Sequence, residues 1–387
     1  MNLLHHLHTS LSALLLTTAV GVVSCIEPPL KLPAEEVLVE LPVVVTDLEI
    51  VWDVDVDWRH DWYYGWDDTD ISIWGNLEYP HPTTFEVRRY FLGDTPRVPH
   101  TNVDAFTITG TRFRRTYEFG YYDLLLWSNI DTKDHTQVVK VLEDDLDETI
   151  GTTTVTRAMK ISRTDDNLYA LFNQPEIYYS AYPRDLYISR DFDDYDYYDE
   201  EAGTWVKHID CVLEPLVYIY LVQVVLHKNL DNRVKGTNGD CAISAMAART
   251  NVNTGHTYDD PCMVYFNTRM KHEVDVRGEK CDILGGMLTT YGLCDMQGYS
   301  QDSRAQYSGS RDDLRNYVIL ELNMSGGSTQ PIRVDVTDQM RRQCHGGIIT
   351  VELDCTEIPN PYEGGASGSL FHPTVEDYDE LIFDIPM

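Results

Sequence analysis

One cysteine near the start of the chain has the surroundings of a lipid-attachment site. An apolar run from Leu11 to Val23 leads directly into Ser24 and Cys25. A short hydrophobic region followed by a small residue and a cysteine is typical of a bacterial lipoprotein signal. The run is too short for a helix that spans a hydrocarbon core of ~30 Å. We therefore predict that residues 1–24 are a signal peptide and that Cys25 carries the lipid, palmitate included.

The residues around this run leave one alternative open. His5, His6 and His8 precede it, but no Lys or Arg does, so a buried N-terminal helix with an incidental cysteine would also fit. Residues 25–35 contain three prolines, which favour an extended, semi-rigid spacer. With an acylated cysteine before it, this spacer would be a tether that joins a folded body to a membrane.

Other stretches that resemble catalytic or metal-binding motifs lack the residue spacing that those motifs require. The Asp-x-Asp-x-Asp run at 53–57 lacks the glycine and the distal Glu of a calcium loop. His272-Glu273 is not followed by the second His of a zinc protease, because residue 276 is Val. The glycines and serine of 364–368 miss the spacing of a nucleophile elbow. A pair of catalytic carboxylates, as in glycosidases, remains an alternative, but no feature of the sequence identifies such a pair. We predict no catalytic residue, no metal site and no cofactor.

Charge and cysteine content limit the partners. A net charge of −33 repels phosphates, so nucleic acid is not expected as a partner. Seven further cysteines lie in the second half, and no two have C-x-x-C spacing, which leaves disulfides or buried free thiols as the alternatives. These cysteines are Cys211, Cys241, Cys262, Cys281, Cys294, Cys344 and Cys355.

The body of the chain opens with two strand patterns. Apolar residues alternate from Val37 to Val45 and again from Leu48 to Trp58, with Thr46-Asp47 between them as a turn. Pro42 interrupts the first run, which predicts an edge strand or a bulge. The acids at 53–57 then lie on the solvated face of the second strand.

Four tryptophans follow at regular intervals: Trp58, Trp62, Trp66 and Trp74. Exposed and roughly coplanar, these rings could stack on sugars, which makes them candidate ligand-facing aromatics. Buried, they would fill the core of a β-sandwich, and this is the interpretation that aromatics at strand spacing favour.

The remainder of the chain predicts many short strands with Gly, Pro and Asn turns and almost no helix. Leu216–His227 is apolar on both faces and fits the centre of a sheet, and Thr337–Arg342 fits one helical turn. The acidic stretch Asp191–Glu201 predicts a solvated connector. We predict an all-β protein with two tandem β-sandwich domains at 36–200 and 206–357, followed by an acidic flexible tail at 358–387. Further strands are predicted at Thr84–Phe91, Ala105–Thr109, Arg112–Phe119, Tyr121–Trp127, Ala242–Ala247, Met263–Asn267, Asp282–Tyr291, Tyr317–Asn323, Ile332–Val336 and Ile349–Cys355.

Several of these elements together resemble a known family, the fimbrillin-like lipoproteins of Bacteroidetes-type bacteria, and within it a domain-of-unknown-function group of adhesion or fimbrial-anchor proteins. The elements that carry the resemblance are the Val22–Cys25 box, the Leu48–Trp58 strand with Tyr64–Asp68 after it, Gly120–Trp127, and Val334–Asp338 leading to Gly347–Leu353.

This resemblance implies transthyretin-like, Greek-key domains, attachment to the outer membrane through Cys25, and cell adhesion or fimbria assembly and anchoring without catalysis. It implies the membrane, fimbrial subunits and host or glycan ligands as partners. In such fimbriae a trypsin-like protease removes the first strand of shaft subunits and a neighbour's strand fills the groove. Anchor subunits keep their first strand. No basic residue lies between Lys31 and Arg59, which favours an uncleaved anchor or a stand-alone protein. The alternative function is a surface glycan-binding lipoprotein of a polysaccharide-uptake system.

Overall fold

The structure, a computed structural model, is built almost entirely of β-strands. It describes residues 37–45, 58–75, 77, 79–95, 101–128, 137–140, 149–159, 169–239, 241–298, 307, 309–359 and 381–383. The predicted signal peptide, Cys25, the tether and the strand positions 48–57 lie outside the described residues. The all-β prediction is confirmed.

Three short α-helices occur in the described ranges: α1 (Trp58–Asp61), α2 (Asp68–Trp74) and α3 (Thr337–Arg342). Two 3₁₀ turns cover Phe192–Asp194 and Leu230–Asn232. The strands before residue 210 are β1 (Val37–Val45), β2 (Thr84–Gly93), β3 (Thr101–Thr109), β4 (Arg112–Tyr117), β5 (Gly120–Ser128), β6 (Gln137–Lys140), β7 (Ile150–Thr153), β8 (Val155–Met159), β9 (Tyr169–Phe172), β10 (Tyr179–Ala181), β11 (Leu186–Ile188), β12 (Tyr197–Asp199) and β13 (Thr204–His208). The later strands are β14 (Cys211–Pro215), β15 (Tyr218–His227), β16 (Val234–Thr237), β17 (Cys241–Ala247), β18 (Arg249–Asn251), β19 (Pro261–Phe266), β20 (Arg269–Val276), β21 (Glu279–Thr290), β22 (Tyr317–Met324), β23 (Thr329–Asp335), β24 (Gly347–Asp354) and β25 (Leu381–Phe383).

These strands form four sheets within the described ranges. The largest has the order β12-β13-β1-β14-β10-β5-β2-β3, with β4 and β11 paired to its members. A second has the order β25-β23-β22-β17-β19-β9-β8, and β16 joins it through β22. A four-stranded sheet has the order β20-β21-β15-β24, and β18-β7-β6 form a small one.

Strand β15 lies inside the four-stranded sheet, between β21 and β24, as its sequence predicts. Its side chains are buried on both faces. Val222 and Val224 point into the core between the four-stranded sheet and the β22-β17-β19 sheet. Leu221 and Val225 point to the opposite face, where Trp62 packs against them. Burying a side chain of this size contributes ~1.5–3 kcal/mol relative to leaving it exposed.

In the large sheet, strand β5 packs with almost every side chain buried. It begins at Gly120, whose φ of +138° disfavours other residues. A Cβ there would lie 2.7 Å from the carbonyl oxygen of Gly93 and 2.8 Å from the ring of Phe91. Glycine is therefore required where β5 starts beside β2.

Some segments of the first half pair with strands of the second. Strand β9 pairs in parallel with β19, through Met263 opposite Leu171, and β7 pairs with β18. The boundaries 36–200 and 206–357 stay a prediction.

Within the predicted tail, Ile358 is buried and β25 pairs in parallel with β23, so these residues belong to the folded body.

The acidic stretch Asp191–Glu201 is more ordered than predicted. Asp191 caps the 3₁₀ turn by accepting a hydrogen bond from the backbone N–H of Asp193, and β12 pairs with β13. Tyr195 is buried and its hydroxyl donates to the carbonyl of Ser189. Most of the acids in this stretch are exposed, as predicted for a solvated segment, and so are Tyr197 and Tyr198, whereas Phe192 and Tyr195 pack inward. The predicted helical turn at Thr337–Arg342 is confirmed as α3.

Candidate functional site

The first described strand, β1, lies inside the large sheet. On one side it pairs antiparallel with β4, from Val37 opposite Tyr117 to Pro42 opposite Arg112. On the other side its first part pairs in parallel with β13 and its last part with β14. The chain's own β1 therefore fills the position between these strands.

Pro42 lies where β1 changes partner. Glu40 is the last residue in register with β13, opposite His208, and Val43 is the first in register with β14, opposite Cys211. A proline has no N–H to donate to a ladder, so it is tolerated at such a gap. The interruption predicted for Pro42 is found, but an edge strand was wrong because β1 has neighbours on both sides.

A helical segment, residues 58–75, covers the outer face of the four-stranded sheet, and we call it the docked segment. Gln223, which interrupts the apolar run Leu221–Leu226 of β15, is fully buried beneath it. Its side-chain oxygen accepts hydrogen bonds from the backbone N–H groups of Tyr63 (3.0 Å) and Tyr64 (3.4 Å), and its amide donates to the carbonyl of Asp61. A buried amide needs such partners, so Gln223 positions the docked segment.

Helix α2 begins with a capping box. The Asp67 carboxylate accepts hydrogen bonds from the N–H groups of Thr69 and Asp70, and the Asp70 carboxylate accepts one from the N–H of Asp67 at 2.9 Å. These bonds satisfy donors that a helix start leaves unpaired.

The Asp70 carboxylate also anchors the docked segment to strand β20. It is fully buried, and it receives Arg269 and Lys271 at 2.7 Å each and the hydroxyl of Tyr64 at 2.8 Å. Burial raises the pKa of Asp70, but hydrogen bonds from the Asp67 N–H, Lys271, Tyr64 and Arg269 outweigh it, and the pKa is lowered. The buried acid is therefore charged and paired.

Of the four tryptophans predicted to face a ligand, Trp62 does not. It is 5% exposed and packs against Val225 and Ile283. Trp66 and Trp74 are partly exposed, with ring centroids 5.3 Å apart and planes tilted by 32°. They stay candidate ligand-facing aromatics. The side chain of Trp58 lies outside what the structure describes.

A polar cleft of about 340 Å³ lies beside β10 and β14. The carboxylates of Asp210 and Glu214 line it together with Ser180 and Asn253, and burial raises the pKa of Glu214. No histidine is among the residues that line it. The cleft therefore offers acids, but no Ser–His pair that would activate a nucleophile.

All seven cysteines of the second half are buried free thiols. Of the alternatives left by the sequence, buried thiols are therefore the one observed. Two of them contact histidines at 3.5 Å, Cys281 with His227 and Cys344 with His345. Burial raises the pKa of Cys344 to about 11, and burial with Glu279 beside it raises that of Cys281. Because a nucleophilic cysteine needs a lowered pKa, neither pair is poised for covalent catalysis.

One group in the described part of the chain has the composition of a metal site: His227, Glu279 and Cys281, whose ligand atoms lie within 4.8 Å of one another. The sequence gives no signal for it, because His227 is more than fifty positions from the other two and no cysteine pair is involved. In the same part of the chain, no helix is long and apolar enough to cross a bilayer.

Comparisons with known proteins find similarity to this chain among solved structures. No protein-family model matches it, and no curated protein sequence does. Among solved structures it is similar to a "putative adhesin" from Bacteroides ovatus, with a TM-score of 0.44 and 15% identity over 85% of this chain and 95% of that one. It is also similar to a "putative polysaccharide binding" protein from Bacteroides thetaiotaomicron, with a TM-score of 0.41 and 10% identity over 82% and 92% of the two chains. A third is a fimbrial anchor protein from Porphyromonas gingivalis, with a TM-score of 0.40 and 11% identity over 82% and 90%.

The names of these structures belong to the class of proteins that the sequence resembles. Since the TM-scores lie between 0.40 and 0.44 and the identities between 10% and 15%, no residue role is transferred from them.

Proposed function

We propose that this protein is a non-catalytic, lipid-anchored protein of the bacterial cell envelope that acts in adhesion or in fimbria assembly and anchoring. Lipid on Cys25 would attach it to the outer membrane. The sequence signal at Leu11–Cys25 and the all-β body support this proposal. The buried thiols, of which Cys281 and Cys344 have raised pKa values, and the absence of histidine from the lining of the polar cleft agree with a protein that binds and does not catalyse.

The observation that carries the proposal is the position of β1. It pairs with β4 on one side and with β13 and β14 on the other. A subunit that accepts a neighbour's strand must leave such a position open. Its own β1 fills this position, and no basic residue at which a trypsin-like protease could release β1 lies between Lys31 and Arg59, so this chain suits an anchor or a stand-alone surface protein.

The lipid is tested by labelling. Bacteria that produce the protein are grown with a tagged palmitate analogue, and their membranes are separated from the soluble fraction. The wild-type protein should be labelled and membrane-bound, and Cys25→Ala should be neither. Ser24→Ala keeps a small residue before the cysteine and should behave like wild type. An unlabelled, soluble wild-type protein would contradict the proposal.

The role of β1 is tested on protein isolated from the envelope. N-terminal sequencing should find a chain that still contains Val37–Val45. A chain that begins beyond Val45 would mean that the first strand is removed, as in a shaft subunit.

In a deletion strain we expect fewer cell-attached fimbriae or weaker adhesion, restored by the wild-type gene. Unchanged fimbriation and adhesion would contradict the function.

The second candidate function is glycan binding by a surface lipoprotein of a polysaccharide-uptake system. The partly exposed rings of Trp66 and Trp74 favour it, since aromatic faces pack on sugars. Affinity electrophoresis in gels that contain polysaccharides tests it. Retardation of the wild type that is lost in Trp66→Ala and Trp74→Ala, but kept in Tyr187→Ala at another exposed ring, would support it. Equal mobility of all proteins would exclude it for the polysaccharides used.

A further inference from the structure

The group His227, Glu279 and Cys281 lies at one end of the four-stranded sheet. Strands β15 and β21 are antiparallel with Leu226 opposite Asp282, so continuing the register by one residue places His227 opposite Cys281. Side chains two apart on a strand share a face, which places Glu279 beside Cys281. The two strands therefore bring an imidazole, a thiol and a carboxylate to one face.

The distances within this group suit a tetrahedral ion. The Nδ1 atom of His227 lies 3.5 Å from the Sγ atom of Cys281 and 3.1 Å from the Oε2 atom of Glu279. Tetrahedral Zn²⁺, with Zn–N of about 2.0–2.1 Å and Zn–S of about 2.3 Å, places a nitrogen and a sulfur ligand about 3.5 Å apart. The Nδ1–Sγ and Nδ1–Oε2 distances are therefore close to those between two ligands of one zinc ion, and the three ligand atoms all lie within 4.8 Å of one another.

A second carboxylate orients the imidazole. The Nε2 atom of His227 faces the Oε2 atom of Glu352, on β24, at 3.3 Å. Arg277 holds the other oxygen of Glu352 at 3.1 Å and donates to the hydroxyl of Tyr63 in the docked segment. A metal-binding histidine usually donates its free N–H to a carboxylate, which fixes the tautomer and the ring orientation. His227 is arranged in this way, with Nδ1 on the side of Glu279 and Cys281.

Solvent can reach the group from one side. The Cys281 side chain is buried, whereas that of His227 is 23% and that of Glu279 is 51% exposed. An ion can therefore enter past Glu279, and a water molecule can supply a fourth ligand. A thiolate and a carboxylate together would balance the charge of a divalent ion.

We propose that His227, Glu279 and Cys281 bind one Zn²⁺ ion, with Glu352 orienting His227. The mixed nitrogen, sulfur and oxygen ligands select Zn²⁺ over Mg²⁺ or Ca²⁺, which prefer oxygen ligands alone. The ion would join β15 to β21 beside the docked segment, and its role would be structural. This site is independent of the lipid anchor and of adhesion.

The test uses the full chain, stripped of metal and kept in excess Mg²⁺, so that surface carboxylates are occupied. Titration with Co²⁺ should give a thiolate-to-cobalt absorption band that saturates at one equivalent and disappears when Zn²⁺ is added. Cys281→Ser should lose the band. Glu279→Gln should weaken Zn²⁺ binding at least tenfold, and Glu352→Gln by ~10–100-fold, as seen for residues that orient metal ligands.

Matched controls separate the site from unspecific binding. Cys344→Ser removes the thiol of the other Cys–His contact and should keep the band. Glu273→Gln removes an exposed acid on the neighbouring β20 and should bind Zn²⁺ like wild type. If Cys281→Ser does not fold, Glu279→Gln decides the matter, since that side chain is half exposed. Absence of the band in wild type, its persistence in Cys281→Ser, or unchanged Zn²⁺ affinity in Glu279→Gln would overturn the proposal and leave His227 as a ring that contacts two carboxylates.

Discussion

Arg269 donates a 2.7 Å hydrogen bond to the fully buried carboxylate of Asp70, which lies 199 residues earlier in the chain. Through this contact and the one from Lys271, the docked segment is attached to β20. The aromatic residues at 62–66 then close over the apolar face of β15. Charge pairing and apolar burial at this interface therefore depend on each other.

Replacing Asp70 should loosen the docked segment. Asp70→Asn leaves Arg269 and Lys271 without their buried partner. Breaking a fully buried pair costs ~3–5 kcal/mol, and because both cations are partly exposed we expect about 2–4 kcal/mol. Urea unfolding followed by tryptophan fluorescence measures this. Asp68→Asn, at an exposed position of the same helix, should change stability by less than ~0.5 kcal/mol. Equal stability of the two variants would contradict this role of Asp70.

The contribution of Asp70 should depend on pH. Its pKa in the folded protein is lowered, so the charged form stabilises the fold above the unfolded pKa of about 3.9 and this stabilisation is lost as the pH falls through the folded pKa. The difference in unfolding free energy between wild type and Asp70→Asn should be constant from pH 7 to 5 and shrink below about pH 4. Urea titrations at pH 7, 5, 4 and 3 measure it. A difference that grows toward acid would show that Asp70 is not charged in the fold.

The fit between Gly285 and Tyr64 gives a prediction about packing. A Cβ at Gly285 would lie 2.3 Å from the Tyr64 ring, so Gly285→Ala should displace the ring. We expect a loss of ~1–3 kcal/mol, the usual cost of overpacking, and faster proteolysis within residues 58–75. Tyr64→Ala removes the clashing ring, so Gly285→Ala should cost much less in that background. Equal costs in both backgrounds would show that the loss of stability does not come from a clash with the Tyr64 ring.

Most strands could be predicted from the sequence because every second residue of a strand faces the same environment, either the core or the solvent. The even and odd positions of β15 showed two apolar faces, and both are buried. The local structure around the tryptophans was harder to predict. Trp62 and Trp66 are four apart, a spacing that fits one face of a strand and one face of a helix, and the strand interpretation was wrong. The partners of Asp70 could not be predicted, because contacts across 199 residues leave no local pattern. One local signal was available, the lone Gln223 in an apolar strand.

The outer edge of β24 is covered by two glutamines, Gln339 in α3 and Gln343 directly after it. The side-chain amide of Gln339 exchanges hydrogen bonds with the backbone N–H and C=O of Thr350, and that of Gln343 does so with Ile348, all at 2.9 Å. Residues four apart on a helical turn thus match residues two apart on a strand. The side chains take the place of a neighbouring strand, which an open edge would otherwise attract.

Removing both glutamines should expose this edge. With each net hydrogen bond contributing ~0.5–1.5 kcal/mol, Gln339→Ala with Gln343→Ala should lose about 2–4 kcal/mol and should self-associate at high concentration. Denaturant unfolding and light scattering measure the two effects. Asp338→Asn, at an exposed position of α3, is the control and should neither lose stability nor self-associate. A stable, monomeric double variant would show that the edge needs no cover.

The buried cysteines give a last prediction. Burial raises the pKa of Cys211, Cys294 and Cys355 to about 12, with nearby acids contributing, and a protonated, enclosed thiol reacts slowly. A thiol reagent should therefore label none of the seven cysteines of the second half in the native protein within minutes, and all seven after denaturation without reductant. Mass spectrometry of digested protein counts the labels. Fewer than seven after denaturation would reveal disulfides. Because Cys25 is predicted to be acylated, it should stay unlabelled in both states, whereas Cys25 of protein made without lipid modification should react in both.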